Sequence, residues 1–251
     1  MLRPRIIPVL LIQDQYLVKT TKFKNPNYIG DPINAVQIYN DLKADELVFL
    51  DIEATKEGRL IDLDFVRLVG EEANMPFSVG GGIRNISGIR NIISAGAERV
   101  VIGSYALENP DFVKQASEIF GVSTICVCID VKKSLLKGQC VWSKNGKKSH
   151  KYTPVEFARL MEKNGAGEII IQSIDRDGSM TGYDISLLKK VSETVTIPVI
   201  ALGGAQDIED LKKCFKEAYI SGVAAGSLFV YYDSNKGVLI NYPEEKRSLF
   251  F

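Results

Sequence analysis

The sequence predicts a (β/α)8 TIM barrel with an internal two-fold repeat, and three observations carry that reading. Short β-branched runs alternate with longer amphipathic stretches along 251 residues, a length typical of eight β/α units. The apolar runs are near-continuous, as strands covered on both faces require. The chain also repeats itself: Gly81 to Gly103 and Gly204 to Gly226 are each separated by 22 residues, and the pairs lie 123 residues apart. The flanks match as well, MPFSVGGGI (Met75–Ile83) with IPVIALGGA (Ile197–Ala205) and RVVIGSYAL (Arg99–Leu107) with GVAAGSLFV (Gly222–Val230). One half-barrel written twice, about 1–120 and 121–251, accounts for the repeat within a single domain.

In chain order the strands are predicted at Arg5–Leu11, Leu47–Ile52, Phe77–Val79, Arg99–Ile102, Thr124–Asp130, Glu168–Gln172, Val199–Ala201 and Gly222–Ala225. Between them, 3.6-residue periodicity predicts helices at Pro32–Leu42, Leu63–Ala73, Ile86–Ala95, Pro110–Phe120, Pro154–Asn164, Ser186–Thr194 and Ile208–Ala218. An open doubly wound sheet shares this period; the repeat favours closure. Lys144–Lys151 reads as a solvated hairpin tip after the fifth strand, and it carries His150, the only histidine, expected at the surface. The tail from Tyr231 onward is polar and turn-rich before ending SLFF, and no element is predicted there.

Composition excludes several classes of function. Lys+Arg and Asp+Glu balance at 31 each, which argues against a nucleic-acid or membrane-surface partner and leaves a small local phosphate site open. The opening MLRPRIIPVLLIQDQY turns polar at Gln13, too soon for a signal peptide or a membrane span, so a soluble, cytoplasmic protein is expected. Cys126, Cys128, Cys140 and Cys214 form no zinc spacing, and buried free thiols in a reducing compartment are expected. Cys126 and Cys128 alternate along a strand and should share a face. Metal-ligand, nucleophile-elbow and Walker patterns are absent, so no metal and no cofactor are implied.

The residues able to carry chemistry fall at the C-terminal ends of the strands, where barrels of this kind build their sites. Glycine at a βα turn lets backbone N–H groups approach a phosphate closely. Gly81 and Gly82 with Gly103 and Ser104 in one half, and Gly203 and Gly204 with Gly226 and Ser227 in the other, predict two phosphate cradles across one mouth. Backbone demands of the turns alone are the competing explanation. Asp130 ends the fifth apolar run and faces the mouth, a candidate general acid or base. Asp51 after the second strand, and Asp175 and Asp177 after the sixth, occupy corresponding positions; helix capping or pairing with a basic neighbour is the alternative for them. With His150 set aside, proton transfer falls to carboxylates or to Lys19.

The motifs RIIP, LVKTTKF, GDP (Gly30–Pro32), DELVFLDI, FSVGGGI, ENP, CIDVKK, GAGEIIIQSIDRDG, GYD and ALGGA run in order from end to end. Together they resemble the cyclase subunit of imidazole glycerol phosphate synthase, of histidine biosynthesis. The resemblance implies a glutaminase subunit on the N-terminal face of the barrel, ammonia passing through the core, and a substrate phosphorylated at both ends. It assigns Lys19, Asp177 and Gly178 to the substrate site with the glycine turns. It matches Arg5, Glu46 and Glu168 to a ring of charges at the ammonia entrance, with Arg99 where a lysine is usual. Of the two aspartates that such cyclases use, Asp130 matches one; the other position holds Leu11, which cannot move a proton. Gly103, Gln172 and Leu202 replace asparagine, threonine and serine at the same mouth.

This pattern resembles a paralogous branch found in gene clusters for surface polysaccharides and glycosylated flagellins. That branch implies work alongside a glutaminase and an ATP-using amidotransferase, turning an acetamido sugar into an acetamidino sugar. A phosphorylated or nucleotide sugar is then the expected small molecule. The stretches LVKTTKFKNPNYIGDP and GVLINYP carry this finer likeness.

Overall fold

The structure, a computed structural model, describes residues 4–134, 138–232 and 237–243. Eight parallel strands, β1 (Arg5–Gln13), β2 (Leu47–Asp51), β3 (Phe77–Gly80), β4 (Arg99–Ile102), β5 (Ile125–Ser134), β6 (Glu168–Ser173), β7 (Val199–Leu202) and β8 (Gly222–Ala225), pair in sequence order. The last pairs back to the first, Arg5 with Gly222 through Pro8 with Ala225, so the sheet closes into a barrel. Each predicted strand is present, with ends shifted by up to a few residues, most at β5, which runs on to Ser134.

The strand period of two sorts side chains into two cores. On β1, Ile6, Leu10 and Ile12 face the helices, while Ile7 and Val9 face the barrel axis. On β5, Ile125, Val127 and Ile129 face outward and Cys126 and Cys128 inward, as the alternation predicts. All four cysteines are free thiols; three are buried and Cys128 is half-buried. Ile7, Val48, Val101, Ile170, Ile200 and Ala224, each no more than 3% exposed, fill the barrel, so its interior is packed.

The helices predicted from periodicity all form, and their starts explain themselves. Asp31, Asp62, Asn85, Asp184 and Asp207 each accept a hydrogen bond from a backbone N–H in the first turn of the following helix. Thr153 and Glu156 form a reciprocal capping box at Pro154–Lys163. Among the described residues no helix is long and apolar enough to cross a membrane.

Two hairpins extend the barrel strands; the first was not predicted, and the second carries the tip expected at Lys144–Lys151 after the fifth strand. Strand Tyr16–Thr21 folds back antiparallel on the extended β1 and pairs with Lys24–Gly30. Strand Gly138–Ser143 does the same on the extended β5 and pairs with Lys148–Ser149. They stand at equivalent places in the two half-barrels, so the repeat extends to them, with no sequence identity to betray it. Part of the tail is also placed. Tyr242 is buried against Tyr39 and Phe229; its hydroxyl donates to Ile6 O at 2.9 Å and accepts from Asp45 N at 3.1 Å. The SLFF ending lies outside the described residues.

Candidate functional site

The strands' C-terminal ends open into one mouth, lined by residues from all eight β/α units. Its floor is built from inward-facing strand ends: Leu11 from β1, Asp130 from β5 with Cys128 one layer below it, Gln172 from β6 and Leu202 from β7. Asp130 sits in register with Gln172, and Gln172 with Leu202. The wall of apolar neighbours strips water from the Asp130 carboxyl and, with repulsion from Asp177, lifts its pKa to about 7. Its side-chain partner among the described residues is the Cys128 thiol, which donates at 3.7 Å. Burial in turn holds that thiol well above its ordinary pKa, so it stays protonated.

The other mouth carboxylates are engaged elsewhere. Asp51 accepts from Glu53 N and Ala54 N, both at 2.9 Å, and pairs with Arg59 Nη1 at 2.5 Å. That is the capping and ion-pair role, so its candidacy as a proton-transfer group is set aside. Exposed Asp175 accepts from Lys133 N at 2.8 Å and ties the extended β5 to the loop after β6. The buried Asp177 side chain binds the first hairpin at three points, Lys19 Nζ at 2.9 Å, Thr20 Oγ1 at 2.9 Å and Phe23 N at 3.2 Å, and its carbonyl accepts from Lys22 N at 2.9 Å. Gly178 lies under the same hairpin; a Cβ there would stand 2.3 Å from Thr20 O. Lys19 is therefore aimed by Asp177 across the β8 turn, its Cε 2.8 Å from where a Cβ on Gly226 would be.

The glycine turns separate into two kinds. Gly82 (φ +66°) and Gly204 (φ +106°) are required by the backbone, since a Cβ would meet Arg59 O at 1.8 Å and Gly182 O at 2.3 Å. Gly81 and Gly203 likewise sit at positive φ, crowded by Asp51 and Ser173. Gly103 differs: its φ is −105° and a Cβ would meet nothing within 4 Å. Glycine there makes space in the mouth. The two serines differ too. Ser104 Oγ accepts from Lys144 N at 2.9 Å, bringing the second hairpin over the mouth. Ser227 Oγ, in a residue 6% exposed, has no hydrogen-bond partner among the described residues.

At the opposite end of the barrel the four predicted charges form a closed ring. Arg5 Nη1 donates to Glu46 Oε2 at 2.7 Å and its Nη2 to Glu168 Oε1; Arg99 Nη1 donates to Glu46 Oε1 at 2.9 Å and lies 3.6 Å from Glu168 Oε2. Ser78 Oγ adds a bond to Glu46 at 3.1 Å. Alternating signs let each charge offset two neighbours, which is how Glu46 and Glu168 stay buried while Arg5 and Arg99 remain partly exposed. Burial still pushes the Glu168 carboxyl upward, even with Arg5 against it.

The chain that builds this barrel, with a glycine turn on each side of the mouth and a charged ring below, has matches among known proteins. The profile described as histidine biosynthesis protein matches residues 5–235. The chain belongs to the histidine biosynthesis protein family. A Leptospira interrogans protein, provisionally named imidazole glycerol phosphate synthase subunit HisF, is 46% identical over the whole of both chains. A Pseudomonas aeruginosa protein, provisionally named imidazole glycerol phosphate synthase subunit hisF2, is 42% identical over 97% of each. Imidazole glycerol phosphate synthase subunit HisF of Clostridium botulinum strain Langeland is 41% identical over 96% of each.

Within this HisF-like barrel the structure brings Asp130, Lys19, Asp177, Gly178 and both glycine cradles around one mouth, and it sets Arg5, Glu46, Arg99 and Glu168 together at the far end. His150 is half-buried; its Nε2 lies 2.7 Å from Ser143 Oγ, and burial, then Lys148, lower its pKa. Sequence reasoning missed Arg59, which neutralises Asp51, and Cys128 as the contact of Asp130. The i, i+2 spacing of Cys128 and Asp130 was a signal for the second; nothing local marked the first. It also missed that the amide oxygen Gln172 Oε1, in a residue 5% exposed, lacks a hydrogen-bond partner among the described residues.

Proposed function

We propose that this HisF-like barrel is the ammonia-receiving subunit of a glutamine-dependent amidotransferase assembly that makes an acetamidino sugar for a surface polysaccharide or flagellin glycan. A cytoplasmic glutaminase docks on the N-terminal face, over the Arg5–Glu46–Arg99–Glu168 ring, and an ATP-dependent amidotransferase works with it on a phosphorylated or nucleotide sugar. Lys19, Ser104, Ser227 and the backbone of the glycine turns hold phosphate. The observation that carries the reading is Leu11: the mouth presents one acid, Asp130, where a two-acid cyclase needs a second. General acid–base assistance is worth roughly 10²–10⁴-fold, so its loss disables a paired mechanism.

A second reading, cyclase in histidine biosynthesis, is favoured by the family match and by an Asp130 carboxyl poised near neutrality. One assay separates the two. The purified barrel is given ammonium and the two-phosphate histidine-pathway intermediate, and imidazole glycerol phosphate is measured. The first reading expects no turnover until Leu11→Asp restores the second acid; robust turnover by the unaltered chain overturns it. For the conduit, Glu46→Lys in the assembled complex is expected to lower glutamine-driven product while sparing product made from added ammonium. Equal losses in both would refute ammonia passage through the ring.

A further inference from the structure

The charged ring below the barrel is fastened by a residue that lies far from it in the chain. Backbone pairing between β1 and β2 runs from Val9 with Val48 to Ile12 with Asp51. Three residues below its start, Ile6 and Asp45 are joined by side chains instead. Asp45 Oδ2 accepts from Ile6 N at 3.1 Å. The Tyr242 hydroxyl accepts from Asp45 N at 3.1 Å and donates to Ile6 O at 2.9 Å, so it bridges the two strand starts as a relay. Ile6 and Asp45 are the chain neighbours of Arg5 and Glu46, whose side chains meet at 2.7 Å in the ring. Arg5 N also donates to Ser221 O at 3.3 Å, just below β8. The start of β1 is thus held to the β8 side by backbone, and to β2 by Tyr242 and Asp45. Tyr242 is itself fixed. It packs against Tyr39 and Phe229, and the tail before it doubles back along the short helix Ser227–Val230, with Leu239 N donating to Val230 O and Asn241 N to Phe229 O, both at 3.0 Å.

We propose that Tyr242 is a positioning residue for the Arg5–Glu46–Arg99–Glu168 ring: its hydroxyl fixes the start of β1 against the start of β2 and so sets the Arg5–Glu46 contact. A guanidinium–carboxylate contact is directional, so it depends on where both backbones stand. Arg5 bonds two carboxylates at once, and a shift of β1 against β2 at Ile6 therefore alters the ring at two points. The consequence for nitrogen transfer rests on the conduit reading; the consequence for ring geometry does not. Phenylalanine at 242 would fill the same aromatic nest and leave Ile6 O and Asp45 N without that bond, where burial keeps water from replacing it. Tyr39 supplies the control. It is buried in the same nest, and its hydroxyl donates to Phe229 O at 3.2 Å, not to either strand start.

The test compares Tyr242→Phe with Tyr39→Phe, since each removes one hydroxyl from one nest and a merely structural loss affects both alike. Nitrogen NMR of the guanidinium groups should show the Arg5 signals shifted in Tyr242→Phe and unmoved in Tyr39→Phe. In urea unfolding, Tyr242→Phe combined with Glu46→Gln should lose less midpoint than the two single losses added, because both act on one contact. Tyr39→Phe combined with Glu46→Gln should be additive. In the assembled complex, Tyr242→Phe should lower glutamine-driven product about 3–10-fold, the size that one lost hydrogen bond gives, and spare product made from added ammonium. Unmoved Arg5 signals in Tyr242→Phe overturn the assignment, as do additive midpoints for its pair with Glu46→Gln. A moved ring with glutamine-driven and ammonium-driven product falling equally in Tyr242→Phe and in Glu46→Lys refutes the conduit and leaves the positioning of the ring standing. A product ratio that Glu46→Lys lowers and Tyr242→Phe leaves unchanged overturns the assignment and leaves the conduit.

Discussion

Replacing Asp130 by asparagine is expected to stabilise the protein by an amount that grows from about pH 4 to a plateau above pH 7. The carboxyl titrates near 3.8 in the unfolded chain and at about 7 in the mouth, where its apolar walls and Asp177 oppose ionisation. Below pH 3.8 it is protonated in both states and contributes no difference. Between 3.8 and 7 the unfolded chain releases the proton while the folded chain keeps it, so stability falls as pH rises through this window. Above pH 7 the full cost is present. At 1.36 kcal/mol per unit the gap sets an upper figure of about 4 kcal/mol, and residual solvent access at this half-buried position brings it to roughly 2–4 kcal/mol. Asparagine has no such cost. Urea unfolding of both proteins from pH 4 to 9 should give a difference near zero at the acid end that grows in the variant's favour to a plateau above pH 7. Other titrating groups cancel in the subtraction. A difference independent of pH, or no gain at pH 8.5, would mean that the carboxyl is solvated or paired with a cation. The desolvation that raises the Asp130 carboxyl would fall with it.

Three further outcomes follow from the geometry. Gly82→Ala forces a Cβ to within 1.8 Å of Arg59 O at positive φ and should cost more than about 3 kcal/mol, whereas Gly103→Ala enters open space and should stay within about 0.5 kcal/mol; paired denaturant curves decide it. Asp177→Ala leaves Lys19 buried without its partner and should cost about 3–5 kcal/mol, with hydrogen exchange rising first across residues 16–30 as the hairpin lets go. Glu46→Gln keeps the shape of the ring while leaving Arg5 and Arg99 to share Glu168. It should cost about 2–4 kcal/mol in thermal or urea unfolding, with the barrel still closed by circular dichroism.

The sequence made the barrel legible because its two signals, apolar period and internal repeat, can be read along the chain without knowing any contact. Strands buried on both faces read as continuous apolar runs, and glycines with no alternative at positive φ, such as Gly82 and Gly204, keep their spacing in both halves. The first hairpin escaped because an edge strand such as Lys24–Gly30 is exposed along most of its length and carries no apolar alternation. The site was legible to the extent that strand ends point into the mouth. Which carboxylate stays free was not. Asp51 and Asp130 end equivalent apolar runs, and only the third dimension brings Arg59 to one and leaves the other among leucines. The unfilled acceptor of Gln172 is likewise a statement about what its neighbours lack, and no pattern of residues encodes an absence.

The two ends of this barrel obey opposite electrostatic rules, and that constrains what can travel between them. Below, four charges satisfy one another in a closed ring. Above, apolar walls raise the Asp130 carboxyl to about 7, so half of it still carries its proton at neutral pH. The layers between are isoleucine, valine and alanine with the Cys126 thiol, whose ionisation burial suppresses. An ion crossing that interior would give up its hydration with nothing to replace it, at a cost of several kcal/mol even after relaxation. A small neutral molecule pays almost none of this. Under the conduit reading proposed above, such an interior would exclude ions, and a nitrogen source passing along the axis would do so as neutral ammonia. Substituting Leu11 for an acid leaves this filter untouched, because Leu11 lies in the uppermost layer. Transfer along the barrel and chemistry at its mouth are thus separable in this fold, and a chain can lose the second while keeping the first.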